Sequence, residues 1–383
     1  MRMREISLSA VNFSYNSVPK DCSCLEIVTL GDTVLVLAGF RDGTLNVFRW
    51  NEPAIIFENS LEGVIACAAV GDVLNTGGSA EETVCVISAE GHCRVFKTTI
   101  WAQRRSGVLE SSASASSKVQ QQVVLSQRLQ ANISCAVVVD IDDDGCAELV
   151  VALTDGVIRT YRYHPQQASG GSKSSDASTM TAKGHFAALS KWELPALTTC
   201  LSLFRETHSL SASGVNKSSC LLLSHPHFRY ITLNLHPKSQ PDPDEDVHSL
   251  DAVRDIAEQT HECLFIHHDA LFTGTMHVVT DSLVFLLNNN ELQPVFLPTP
   301  IFRLKMTNSL RLLLAADWEG TIYILRLKGN VATNRNLRLS FDAPIQDFAV
   351  AVSSDLTLLH IACYTCDQEL RTASVNVKRL LLD

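Results

Sequence analysis

One phrase recurs about seven times along these 383 residues: an apolar β-rich run, a tight turn, then a short alternating strand. The clearest copies are Leu35 to Trp50, Val84 to Lys97, Leu149 to Tyr163 and Leu312 to Leu327. In them Asp42-Gly43, Glu90-Gly91, Asp155-Gly156 and Glu319-Gly320 sit between two strand-like runs. Glycine supplies the positive φ that a hairpin turn matched to strand twist requires, and the acidic residue before it stays in water. Weaker copies at Leu221 to Leu235, His277 to Asn288 and Leu359 to Val375 keep the strand, turn, strand order without the glycine. A unit of this kind cannot bury its own sheet face, so the chain must be a ring or a stack of sheets.

The expected fold class is therefore all-β: a seven-bladed β-propeller forming one domain over residues 1–383. Seven four-stranded blades use about 300 residues. The excess falls into polar, low-complexity insertions at 103–122, 164–184, 206–219 and 237–258, which lack the apolar residues to offset the entropy of ordering. A strand around Ile6 to Phe13 is expected to pair with the last blade near Ser374 to Leu381, because closing the ring removes exposed strand edges.

Hydrophobic residues make up 46% of the chain, enough for a sizeable core, while 41 acidic against 31 basic residues give a net charge of -10. That balance argues against a nucleic-acid partner, since a phosphate backbone needs a basic stripe. The N-terminus has no apolar h-region and no run of 18 apolar residues occurs, so a cytoplasmic protein is expected, with membrane association only through partners. Of the twelve cysteines, Cys67, Cys85, Cys135, Cys200 and Cys263 lie in strand-like runs and read as small core residues. Cys363 and Cys366 have metal or redox spacing but no second pair to complete a site.

The sharpest local motif is Asp140 to Glu148, DIDDDGCAE. Asp140, Asp142 and Asp144 place carboxylates at alternate positions, Gly145 permits a sharp bend, the Cys146 carbonyl is a further donor, and Glu148 closes the shell. Hard oxygens at this spacing suit Ca²⁺, which takes six to eight of them. An acidic turn that holds no metal is the alternative. The frame is not an EF-hand, because position twelve is Val151 and the loop runs directly into a strand. Equivalent loops elsewhere have decayed: Gly71 to Asn75 keeps one acid, Leu30-Gly31-Asp32 is a plain turn, and Lys305 to Asn308 has no acid. Signatures of nucleophilic, phosphate-binding and zinc enzymes are missing. His225 with His227, and His267 with His268, are poor ligand pairs; Trp192 and Trp318 read as blade-packing aromatics.

The acidic loop followed at once by LVVALTDGVIRTYRY resembles an FG-GAP repeat of the integrin-alpha propeller type. With VISAEGHCRVF, LSKWEL and AADWEGTIYIL in the same order, the chain resembles the integrin-alpha FG-GAP repeat-containing protein 2 family. The resemblance implies FG-GAP-like blades and a non-enzymatic scaffold role in a KICSTOR-like complex. There such a subunit pairs with kaptin, another propeller, and holds the GATOR GAP complex on the lysosome, restraining TOR kinase signalling when nutrients are scarce. Two other classes compete on the residues alone: a WD40-like adaptor in trafficking or ubiquitin ligation, and a Ca²⁺-dependent propeller enzyme.

Overall fold

The computed structural model describes residues 2–5, 12–17, 20–52, 54–77, 83–102, 123–142, 144–166, 184–194, 200–207, 217–225, 229–234, 247–249, 265–268, 275–280, 283–288, 291–296, 299, 301–307, 310, 312–328, 331–332 and 335–381. Strands in these residues form seven sheets. Each recurrent phrase becomes the hairpin between the second and third strands of one sheet. The first sheet runs Cys22–Leu30, Thr33–Phe40, Thr44–Arg49, Ile55–Ser60, with every neighbour antiparallel. The second takes Ile65–Gly71, Thr83–Ser88, His92–Lys97 and Val123–Arg128, and the third Ile133–Val139, Glu148–Leu153, Val157–Pro165 and Gly184–Glu193. The fourth and fifth repeat this order over Cys200–Ser249 and Phe265–Phe296.

Burial of both faces explains the longest apolar runs. The second strands are buried on both faces, as in Leu149 to Leu153, and read as unbroken apolar runs. The third strand of the third sheet is less uniformly covered, with Ile158, Thr160 and Tyr161 inside and Arg159 and Arg162 less buried. Each of the four acidic-Gly turns holds its glycine at positive φ, between 83° and 96°. In four sheets that glycine's carbonyl also accepts a bond from the residue just past the strand that pairs with the third: Leu61 to Gly43, Leu129 to Gly91, Leu194 to Gly156 and Phe341 to Gly320, at 2.7–2.9 Å. In the seventh sheet Gln368 adopts φ 63° in place of a glycine.

The first strand of each sheet lies against the first strand of the next, and the Ile345–Val352 strand that opens the seventh sheet lies against Cys22–Leu30 of the first. Polar bonds tie the same strands together. Leu25 N–H donates to Asp347 Oδ2 at 3.1 Å, Arg303 pairs with Asp347 at 3.3 Å, and Lys305 of the sixth sheet reaches Glu26 of the first at 3.3 Å. The core sits between sheets: one cluster joins Leu35, Val47 and Phe57 of the first to Val84, Val86 and Phe96 of the second, and another joins Leu314, Ile324 and Phe341 of the sixth to Phe348, Ile361 and Val375 of the seventh.

Several expectations need correction. The strand that completes the seventh sheet is Asn12–Ser17 paired antiparallel with Glu369–Asn376; it overlaps the expected strand around Ile6 to Phe13 at Asn12 and Phe13, with Asn12 opposite Ser374, and residues 6–11 lie outside the described residues. Residues Val377–Leu381 form a short helix. Arg2–Glu5 pairs in parallel with Arg335–Ser340, which helps make the sixth sheet six-stranded. The insertions are shorter at their ends than composition implied. Residues His164, Pro165 and Gly184 pair within the third sheet, and Glu206 and Thr207 pair with Ser218 and Lys217 in the fourth. Val247–Ser249, inside the expected 237–258 insertion, is the outermost strand of the fourth sheet. Backbone ladder bonds outweigh local polarity at these positions, because each added pair extends an existing sheet edge. Residues 103–122 lie outside the described residues.

Candidate functional site

The Asp140–Glu148 loop joins the first two strands of the third sheet, and the Val139–Glu148 pair closes it. Gly145 takes φ 86° at its tip. The Asp140 carboxylate accepts the N–H groups of Asp144 at 3.2 Å and Gly145 at 2.9 Å, folding the loop back on itself. Asp144 Oδ1 accepts the Cys146 N–H at 2.8 Å, and Glu148 Oε2 accepts the Ile141 N–H at 3.0 Å. Asp140, Asp142 and Glu148 bring oxygens within 4.8 Å of one another, the one such grouping of potential ligands among the described residues. Cys146 contributes its N–H, and Asp143 lies outside the described residues.

A residue that sequence reasoning passed over completes the arrangement. Tyr161 stands opposite Leu149, so Arg162 on the third strand comes up beside Glu148. Its Nε donates to Glu148 Oε1 at 2.6 Å, Nη1 to Asp144 Oδ2 at 2.8 Å, and Nη2 to both oxygens of Asp142 at 3.1 and 3.2 Å. Glu148 has no exposed surface. Burial raises its carboxyl above the usual range, opposed by the Ile141 N–H and by Arg162. The Cys146 N–H, and then the Arg162 charge, hold Asp144 below it. Burial would lower the Arg162 guanidinium, but the bond and charge of Glu148 and the charges of Asp142 and Asp144 raise it above its ordinary value. The sequence carried a signal for this. A hairpin centred on Asp155 pairs residues whose numbers are symmetric about it, which sets 162 across from 148.

The decayed loops are closed by other means. Asp72 accepts the backbone N–H and hydroxyl of Thr76, and Asn75 reaches into the next sheet, accepting the Ala147 N–H at 2.6 Å and donating to the Ala147 carbonyl at 3.2 Å. This side chain couples the second-sheet loop to the acidic one. In the seventh sheet the hydroxyls of Ser353 and Thr357 hold the Asp355 carboxyl down at about 2.

The remaining candidates do not converge. Cys363 is buried while Cys366 is exposed, Cys67 and Cys85 are buried, and Cys135 is partly so. Cys200 is in a strand whose side chains lie outside the described residues, as do His225, His267 and His268; Cys263 and His227 are outside entirely. Trp192, half-buried opposite Ile158, packs against the third-sheet core as expected. Trp318 does not pack between sheets: its ring is 60% exposed and stacks on Phe302 at 4.3 Å. Trp318 is the first residue past the fully buried strand Leu312–Asp317 and lies in the turn, while Asp317 ends the strand inside, accepting bonds from Thr321 N–H, Thr299 and Tyr323. A cavity of about 670 Å³ opens where the first strands begin, with Trp318, Val64, Arg41, Arg303 and Asp347 on its wall. Its buried acid, Asp347, is already bonded to Arg303 and to the Leu25 N–H. No helix among the described residues is long and apolar enough to cross a membrane.

Comparison with known proteins places this loop in a family context. A family profile described as integrin-alpha FG-GAP repeat-containing protein 2 matches residues 51–277. A relative from Mus musculus named KICSTOR complex protein ITFG2 is 32% identical over 155 residues, covering 40% of this chain and 33% of the relative. One of the same name from Bos taurus is 31% identical over 155 residues, covering 40% and 28%. The aligned part thus spans at most 33% of the length of either relative. Among solved structures, two titled as crystals of BBS1N in complex with ARL6DN, soaked with lead or with mercury, match at TM-score 0.58. They are 12% and 11% identical and cover 94% of this chain and 93% of theirs. That likeness is one of fold alone.

Proposed function

The chain belongs to the integrin-alpha FG-GAP repeat-containing protein 2 family, and on that footing we propose that it is a non-enzymatic scaffold subunit of a KICSTOR-like complex. The observation that carries the reading is that both relatives named above bear the name of a KICSTOR complex protein. In this reading the seven sheets are the blades of one closed seven-bladed β-propeller, supported by the contact between the opening strands of the seventh and first sheets. The rigid rims bind a kaptin-like propeller and the other KICSTOR subunits. The assembly recruits the GATOR GAP complex to the lysosomal surface from the cytoplasm and lowers TOR kinase signalling when nutrients are scarce. A scaffold reading also suits the polar chemistry, in which the buried acids Glu148, Asp317 and Asp347 are each engaged in structural bonds.

Affinity capture of the tagged full chain, followed by mass spectrometry, tests this. Recovery of a kaptin-like propeller together with GATOR GAP subunits is the expected result. Recovery of coat or ubiquitin-ligase subunits in their place contradicts it and restores the adaptor alternative.

A further inference from the structure

We propose that Arg162 is the resident cation of the Asp140–Glu148 loop, so that the native chain binds no divalent metal there and the third sheet folds without one. The donor set is right for Ca²⁺ in kind: hard carboxylate oxygens around a tight bend. Its oxygens are nevertheless all engaged. Asp140 gives one oxygen to the Asp144 N–H and the other to the Gly145 N–H. Asp142 gives both to Arg162 Nη2. Asp144 divides between the Cys146 N–H and Arg162 Nη1, and Glu148 between the Ile141 N–H and Arg162 Nε.

The guanidinium thus meets three of the four acids from the side where an ion would sit. A planar fork with five donors can satisfy several carboxylates at once, and it stays charged at any physiological pH. Its neighbours push it further in that direction. A dication entering the same space meets a fixed positive charge and finds Glu148, the most buried acid, already neutralised. The two cations therefore exclude each other. The tethered one has the advantage, because it is part of the adjacent strand and needs no supply from solution.

This claim is independent of the scaffold reading and is tested on the full chain alone. Calorimetric melting and isothermal titration are run in chelator and in Ca²⁺ up to the order of 1 mM, the range of weak extracellular sites. Wild type is expected to melt at the same temperature in both and to give no binding isotherm. Arg162→Gln is expected to lose several degrees in chelator and to recover them in Ca²⁺ with one-site binding. A wild-type midpoint that rises in Ca²⁺, with an isotherm abolished by Asp142→Asn, overturns the proposal. So does a folded Arg162→Gln that ignores the ion. Should that variant fail to fold in chelator, refolding in Ca²⁺ decides: recovery supports the exchange of one cation for the other, and failure in both conditions refutes it.

Discussion

Gly320→Val is expected to lower stability by about 2–6 kcal/mol. Two costs combine. Gly320 sits at φ 96°, and a β-branched residue held at positive φ costs about 1–3 kcal/mol. A Cβ there would also lie 2.1 Å from the Ala343 carbonyl oxygen and 2.8 Å from its carbon. Those are backbone atoms that cannot swing aside, and forcing extra atoms into packed structure adds about 1–3 kcal/mol. The backbone approaches so closely because Phe341 N–H donates to the Gly320 carbonyl at 2.8 Å, fastening the turn to the end of the adjacent strand Arg335–Ser340. Gly31→Val is the control. Gly31 has φ 56° with nothing within 4 Å of a built Cβ, so only the conformational cost applies, about 1–3 kcal/mol. Urea unfolding of both variants separates the terms: equal losses would show that the cross-sheet approach at Gly320 carries no weight.

Trp101→Ala is expected to cost about 2–4 kcal/mol. Trp101 is fully buried in the short helix Thr98–Ala102 and packs on Phe57 at 5.3 Å and Phe96 at 5.5 Å, one from the first sheet and one from the second. Arg49 of the first sheet donates to the Ala102 carbonyl at 2.9 Å and holds the helix against it. Emptying such a site costs about 3–5 kcal/mol. Against this, the indole N–H is buried with no hydrogen-bond partner among the described residues, and an unmade bond of that kind costs about 1–3 kcal/mol that truncation returns. The cavity dominates, at the low end of its range. Trp101→Phe keeps a ring and removes the orphan donor, so it is expected to lose less than half as much as alanine. A phenylalanine variant as unstable as the alanine one would show that the indole N–H is bonded after all.

Much of the fold was legible because its repeated part is local. The hairpin between second and third strands is written within a single short stretch each time, and in four copies an acid followed by glycine marks the turn. Even a copy without glycine kept its place, since the strand, turn, strand order persists from Leu359 to Val375 around Gln368. The closure strand was harder to place. Alternation runs in three stretches between Met1 and Asn16, changing phase at Arg4-Glu5 and Ala10-Val11, and a period of two says that a strand is present without choosing which stretch finds a partner. The parallel strand Arg2–Glu5 depends on a segment more than three hundred residues away and leaves no local trace. At the candidate site the carboxylates stood out and Arg162 did not, because ligand spacing was sought along the chain while the decisive neighbour lies across a hairpin. Trp318 misled for another reason: its place beside a turn suggested packing, but the buried strand ends at Asp317 and Trp318 falls in the turn itself.

The proposed closed ring of seven blades rests on the N-terminal strand completing the last sheet. Ser14 and Thr372 stand directly opposite in that pairing, at a cross-strand separation a disulfide can span. Mild oxidation of the Ser14→Cys, Thr372→Cys double variant, read by peptide mass spectrometry, tests it most directly. The predicted result is a linked pair of peptides from the two ends of a single monomeric chain, with a raised melting temperature. Free thiols at both positions in folded protein, or linkage found only between separate chains, would contradict the closed arrangement.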